Sequence, residues 1–496
     1  MKHKTLYQIL FSLSLLFFLS SSTPEKKNRQ LNVLFIGIDD LRTELGCYGE
    51  DHIVSPNIDK LAMQGMLFNR AYVQQAVCAA SRASLLTGCY PNTTGVDYPY
   101  SRYFIDEFLP KHPSIPRYFY EKGFFTVAMG KLHHGPNFDL NGLSLPYPDR
   151  NRHWKASYAL PENNKLAMTG DGSNKPPVEM AEVHDTVYDD GFLAEEAIKS
   201  LQICSKQEKP FFLAVGFKKP HLPFACPKKY WDLYDRNEID LAPVPTLPKN
   251  APQFAIANYE LSSGYAGDYG AKNTMVPDSV AKLLRHGYFA CVSFVDAQVG
   301  KVLDELDRLG LRENTVIVLW SDHGFQLGDQ QNWTKHTNFE LATRSPLIIS
   351  YPDMKNSGER TNALVEYVDI FPTLCDLTGT PAPDYLEGIS LKKLLKNPDR
   401  SWKSAAFSQY PRGKNREGFA IRTSRYRYVE WKRKDGEIVA RELYDHKIDP
   451  QESHNVAEKH PDVVAELSQK LAAGWRTTLP EGIGNNSDNP VAPTPE

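Results

Sequence analysis

Four unbroken apolar stretches constrain this chain more than any other feature: Val33 to Ile38 (VLFIGI), Phe211 to Val215 (FFLAV), Thr315 to Trp320 (TVIVLW) and Pro346 to Ser350 (PLIIS). A strand with one solvated face alternates apolar and polar residues. A run apolar throughout is covered on both faces, as in parallel sheets flanked by helices. Helical periodicity fills the intervals, over Ile58 to Met66, Asp190 to Cys204, Val280 to Leu309 and Asp369 to Leu377. This alternation predicts an α/β sandwich around a central, largely parallel sheet, over residues 23–383. Gly379, Pro381, Pro383 and Gly388 punctuate the chain. Two β-like runs (Phe419 to Ile421, Arg427 to Trp431) and a helical segment (Pro461 to Trp475) follow, which predicts a smaller C-terminal α+β subdomain over 384–480. Residues 481–496, rich in Pro, Gly and Asn, read as a loose tail.

The N-terminus sets Lys2, His3 and Lys4 before an apolar stretch from Ile9 to Leu19, then Ser20, Ser21, Ser22, Thr23 and Pro24. About 20 apolar residues are needed to span a bilayer, so residues 1–22 read as a cleaved signal peptide, and the protein as secreted or periplasmic without stable membrane insertion. No Cys precedes Cys47 to carry a lipid anchor. Lys and Arg number 57 against 60 Asp and Glu, so no global basic field exists to hold nucleic acid. Any anion recognition must be local. The seven cysteines are odd in number and show no CxxC metal spacing, which leaves one to be set aside for chemistry.

The chemistry gathers where strands end. Asp39 and Asp40 follow the first apolar run, and Asp322 and His323 follow the third. Ligands of open α/β sheets collect at the carboxyl ends of strands. Three carboxylates brought together repel unless a cation neutralises them, and an oxygen-rich set suits Ca²⁺ or Mg²⁺. Capping of a following helix or turn is the alternative use of each Asp. Residues 78 to 88 read CAASRASLLTG. A helix beginning near Cys78 puts Arg82 one turn on, on the same face. Beside Arg, at a helix N-terminus, the thiol is expected to have a depressed pKa.

The block C-x-x-S-R-x-S-L-L-T-G, after VLFIGIDDLR (33–42) and SPNIDKLAMQGMLFNRAY (55–72) and before SDHGFQLGD (321–329), resembles the type I, formylglycine-dependent sulfatases of the alkaline phosphatase superfamily. Within that family QQAVCAASR (74–82), AMGKLHHG (128–135), FFLAVGFKKPHLPF (211–224), WTKHTNFE (333–340), SQYPRG (408–413) and ELYDHKIDP (442–450) are similar to blocks of the iduronate-2-sulfatase branch. The resemblance implies an alkaline phosphatase-like fold and one Ca²⁺ held by Asp39, Asp40, Asp322 and His323 together with residue 78. It implies that a maturation enzyme oxidises Cys78 to formylglycine, whose hydrate is the nucleophile held by Arg82, and that Lys131, His134, His221 and Lys335 surround the sulfate. His134 is then the candidate base, and His221, in the Pro-flanked K-P-H-L-P, the candidate acid for the departing alcohol. Ala80 stands where the usual C-x-P-x-R motif has Pro, a form that resembles motifs accepted by some bacterial maturation systems.

The expected activity is sulfate removal from a sulfated saccharide, foremost the 2-O-sulfate of a terminal hexuronate, with algal polysaccharides as the alternative substrate class. Phosphatases and phosphodiesterases of the superfamily use Ser or Thr and usually two Zn²⁺, against which Cys78 and one oxygen-rich site argue. The rival outside catalysis is an unmatured, inactive sugar-binding homologue. Arg412, in Q-Y-P-R-G, either meets a uronate carboxylate with its planar fork or is a solvent-exposed or structural Arg, and stays outside the expected site residues.

Overall fold

The computed structural model describes residues 30–97, 101–134, 139–147, 157–168, 175–257, 260–265 and 276–480. The expected signal peptide (1–22) and tail (481–496) lie outside them. Seven strands form the main sheet: β1 (Asn32–Asp39), β2 (Met66–Phe68), β3 (Phe125–Gly130), β4 (Phe211–Pro220), β5 (Thr315–Ser321), β6 (Leu347–Ser350) and β7 (Arg360–Thr361). Their spatial order is β7-β2-β6-β5-β1-β4-β3. Only β6 runs against its neighbours; every other pairing is parallel.

Both faces of β1 are buried, which explains its unbroken apolar run. Leu34, Ile36 and Ile38 enter one core, shared with helices α3 (Asp189–Cys204) and α4 (Asp278–Arg308) through Ala194, Leu201, Val295 and Val299. Val33 and Phe35 enter another, shared with Leu85 and Leu86 of α2 (Cys78–Thr87) and Phe371 and Leu374 of α5 (Ile370–Thr378). Truncating one such residue, for example Ile36→Ala, costs ~2–5 kcal/mol.

The helix expected over 58–66 is shorter. It is α1 (Pro56–Met63), and Met66 already belongs to β2, paired with Ile349. Gly65 makes this change of structure possible, because a Cβ there would lie 2.7 Å from the Ile349 carbonyl oxygen. β6 begins at Leu347 because Pro346 has no N–H to give a ladder.

The C-terminal strands β8 (Ala406–Arg412), β9 (Arg416–Arg422), β10 (Tyr426–Arg433) and β11 (Ile438–Asp445) form an antiparallel sheet in chain order. Helix α6 (Pro461–Ala473) covers one face with Leu467, Val463 and Leu471. The other face, with Val429, Trp431 and Tyr444, packs on Ala255, Ile256 and Phe339 of the main body. Among the described residues no helix is long and apolar enough to cross a membrane.

Candidate active site

Adjacent parallel strands bring the two acidic pairs together, as their positions after apolar runs require. Ile38 of β1 pairs with Ser321 of β5, so Asp39 and Asp40 leave the sheet beside Asp322 and His323. All four are fully buried. None of them caps a helix. Asp40 takes the left-handed region at φ 60°, unusual for a residue with a Cβ. That turn is pinned from three sides: Asp40 N–H donates to Asp322 Oδ1 (3.2 Å), Leu41 N–H to Ser321 Oγ (3.0 Å), and Tyr288 Oη of α4 to the Asp40 carbonyl (2.8 Å).

Helix α2 points its first turn at this rim. Cys78 Sγ lies 3.6 Å from Asp39 Oδ1, 3.3 Å from His323 Nε2 and 3.5 Å from Lys131 Nζ. One turn on, Arg82 spends its guanidinium on four acceptors: Asp322 Oδ2 (2.8 Å), Asp39 Oδ1 (3.2 Å), and the carbonyls of Lys131 and Leu132. It also stacks on Trp320, 5.4 Å from the ring centre. Arg82 is therefore a positioning residue, locking two carboxylates and the start of the 131–134 loop into one frame. Gly37 makes room for that indole: a Cβ there would lie 2.6 Å from Trp320 Cζ2.

Lys131 follows β3 and ion-pairs with Asp39 Oδ2. Lys335 donates to Asp40 Oδ2 (3.1 Å) and Glu260 Oε1 (2.7 Å). His221 Nε2 approaches Asp40 Oδ2 at 4.0 Å, and its Nδ1 is 2.6 Å from the Leu222 carbonyl. A carbonyl only accepts, so Nδ1 carries the hydrogen there, and likewise at His323, whose Nδ1 is 3.0 Å from the Gly324 carbonyl. His323 Nε2 is thus left with its lone pair facing the cluster. His134 completes the list of expected residues, half-buried and electrostatically coupled to Lys131, Asp39, Arg82 and Lys335. All ten expected residues therefore converge.

The electrostatics split the acids. Burial opposes ionisation of Asp39, but Lys131 and Arg82 hold it well below the usual carboxylate range. Burial, reinforced by Asp39, Glu260 and Asp322, pushes Asp40 well above it despite Lys335. Asp40 Oδ1, fully enclosed, accepts no hydrogen bond. Burial and Lys131 lower His134 to about 4, and burial with Lys335 and Lys131 holds His221 well below its ordinary value. The expectation of an acidic Cys78 is corrected: burial first, then Asp39, push the thiol well above its ordinary range, outweighing Lys131 and Lys335. The helix N-terminus and Arg cannot compensate because Arg82 is already neutralised by two carboxylates.

The donor set fits a hard divalent cation. Ligand atoms of Asp39, Cys78, Asp322 and His323 lie within 4.8 Å of one another, as do those of Asp39, Asp40, Cys78 and His221. The unpaired Asp40 oxygen and the crowding of carboxylates are what a cation would relieve.

Two contributors are not among the residues expected from the sequence. Glu260 holds Lys335 and accepts from Thr334 Oγ1 (3.0 Å), yet sits in a segment with no recognisable spacing. Tyr410 of β8 hydrogen-bonds to His336 Nδ1, and His336 Nε2 lies 3.9 Å from Glu260 Oε2, so the C-terminal sheet reaches the site through a polar chain. Arg412 does not extend toward an anion: it donates to the carbonyls of Phe254 (2.7 Å), Ala255 (3.2 Å) and His336 (2.9 Å). Three carbonyls make it a strut between β8 and the main body.

The Sulfatase family model matches residues 31–380, and a second, described as N-sulphoglucosamine sulphohydrolase, C-terminal, matches 328–476. Iduronate 2-sulfatase of Mus musculus is 36% identical, over 86% of this chain and 90% of its own. A sulfatase of Formosa agariphila is 31% identical, over 92% and 89%. A solved structure in complex with its substrate D-glucosamine-2-N,6-O-disulfate superposes with a TM-score of 0.71 at 22% identity, over 93% of this chain and 100% of that one; at such identity the likeness speaks for the alkaline phosphatase-like fold alone. The first family match contains every member of the cluster from Asp39 to Lys335, and on that ground the chain belongs to the sulfatase family and is a sulfuric ester hydrolase.

Proposed function

We propose that this sulfatase acts at the non-reducing end of a sulfated saccharide, on the 2-O-sulfate of a hexuronate, in the periplasm or outside the cell. The observation that carries the reading is the buried meeting of Cys78 with Asp39, Lys131 and His323 at the strand ends, in a chain 36% identical to an iduronate 2-sulfatase. Asp39, Asp40, Asp322 and His323 would hold Ca²⁺, which when bound neutralises the carboxylates and the anionic ester. Oxidation of Cys78 to formylglycine by a maturation enzyme would supply a geminal diol, a nucleophile able to release sulfate without a stable ester.

The remaining work falls to the chain's own groups. Lys131 and Lys335 attract the ester's oxygens and stabilise charge that builds on them. Arg82 fixes Asp39 and Asp322 in place. His134, neutral at physiological pH because burial and Lys131 lower it to about 4, takes a proton within the site. His221 Nε2 is the atom that gives a proton to the departing sugar oxygen. The free site keeps His221 neutral; the anionic ester beside it is the countercharge that loads it.

Sulfate release from defined disaccharides tests the substrate: a 2-O-sulfated terminal hexuronate is expected to react, and its 6-O-sulfated hexosamine counterpart to be inert. The reverse preference would exclude the hexuronate reading. His221→Ala tests the acid. General acid catalysis contributes roughly 10²–10⁴-fold, so kcat/KM is expected to fall by that factor on a sugar sulfate and far less on a nitrophenyl sulfate, whose leaving group needs no proton. Equal losses on both would make His221 a sulfate ligand instead.

A further inference from the structure

Two cysteines outside the active site are neighbours in the core, and both are free thiols in this structure. Cys226 lies on the short strand Phe224–Pro227 and Cys291 on α4, and both are fully buried. The register between the two elements is fixed one step earlier, where a Cβ at Gly287 would lie 2.9 Å from Phe224 Cβ. Phe224 and Cys226 share a face of the strand, two residues and ~6.6 Å apart. Gly287 and Cys291 share a face of the helix, four residues and ~6 Å apart. Phe224 meets Tyr288 and Tyr230, just past the strand, meets Phe294, so the two elements run the same way and their equal steps bring Cys226 alongside Cys291. The neighbouring Cys291 thiol is, after burial, the second cause that pushes Cys226 well above its ordinary range.

We infer that Cys226 and Cys291 are joined by a disulfide in the exported protein. The step is a thiol–disulfide exchange: one thiolate attacks a disulfide donor to form a mixed disulfide, and the second displaces the donor's remaining sulfur. The donor leaves as two thiols, its S–S bond reduced as the protein's bond forms and the two protein thiol protons passing to it. Because the folded core hides both sulfurs and raises Cys226, the bond forms while the chain folds, and the folded protein shields it from reductant. Its position ties the segment carrying His221, five residues before Cys226, to the helix whose Tyr288 hydroxyl supports Asp40.

The test uses the full chain produced in a host with an oxidising cytoplasm, so its outcome does not depend on export. Free thiols are alkylated under denaturing, non-reducing conditions and the peptides weighed. A Cys226 peptide joined to a Cys291 peptide, two hydrogens lighter than their sum, is the expected result; both peptides alkylated, or either joined elsewhere, overturns the inference. A second measurement follows the unfolding midpoint. Closing a loop of this length is expected to raise it by on the order of 4 °C, so Cys226→Ala, Cys291→Ala and the double variant should all fall by about the same amount. Losses that add between the single variants would mean two thiols that merely pack.

Discussion

Two buried charge clusters in this protein look alike in composition and differ in completeness. Under β8, Lys403 donates to Glu366 Oε2 (2.9 Å) and to Asp369 Oδ1 and Oδ2 (2.7 and 2.9 Å). The remaining acceptor capacity is taken by the N–H groups of Phe407, Ile389 and Glu366 and by the Tyr90 hydroxyl. Every carboxylate oxygen has a donor. At the strand ends, Asp39, Asp40, Asp322 and Glu260 face Lys131, Lys335 and Arg82, yet Asp40 Oδ1 has none. Both clusters bear the cost of desolvated charge. The satisfied one is a strut that fastens the C-terminal sheet to the main body; the unsatisfied one is the proposed cation site.

That contrast predicts opposite consequences for opposite losses. The largest effect is expected from Cys78→Ala, which removes the thiol proposed as the source of the nucleophile. Turnover should fall on the order of 10⁵-fold or more, with an unchanged unfolding midpoint. Retained sulfate release would remove Cys78 from the chemistry. Next comes Asp40→Asn, which keeps the shape and deletes one proposed cation ligand. Activity should drop ~10²–10³-fold and recover in part as Ca²⁺ is raised. In chelator the variant should be no less stable than the parent, because the cation-free parent already holds Asp40 above the usual carboxylate range. A large stability loss there would make Asp40 a structural acid like Asp369.

Lys403→Met inverts the pattern. It strands two buried carboxylates and should cost ~3–5 kcal/mol of stability in denaturant titrations, while kcat/KM of the folded fraction stays at the parent value. A loss of kcat/KM at temperatures where the variant is folded would erase the distinction between strut and site. The smallest effect belongs to Glu417 of β9, raised to about 7 chiefly by burial and then by Asp97. An acid with a raised folded pKa binds its proton more tightly when folded, so stability is full below pH ~4.5 and falls as pH rises toward about 7. Glu417→Gln removes that decline and should gain about 2 kcal/mol at pH 8 relative to pH 4.5. A parent protein with a flat profile across this window would contradict the assignment.

The strand ends were legible because their chemistry is local. An apolar run closing on two acids says both that a strand is covered on two faces and that its carboxyl end carries charge, and β1 and β5 obey. Cys78 and Arg82 were legible for the same reason: four residues on a helix share a face whatever surrounds them. The Cys78 pKa was read with the wrong sign because a helix N-terminus and an Arg are visible in sequence, whereas desolvation and the Asp39 carboxylate arrive through space. The sequence leaves Arg412 open between anion receptor and structural residue, because the three carbonyls that settle its place come from residues 254, 255 and 336.

What the sequence determined by itself, then, was periodicity and neighbourhood: the covered sheet, the acids at its rim, and the Cys–Arg helical turn. The tertiary structure alone decided completeness, that is, which buried oxygen finds a donor. It supplied Glu260 for Lys335, led Tyr410 to the site through His336, set Cys226 against Cys291, and left Asp40 Oδ1 unpaired. The reason is physical. Periodicity follows from bonds along the chain, but the energy of a buried charge is set by whatever the fold packs against it, and those groups lie up to hundreds of residues away.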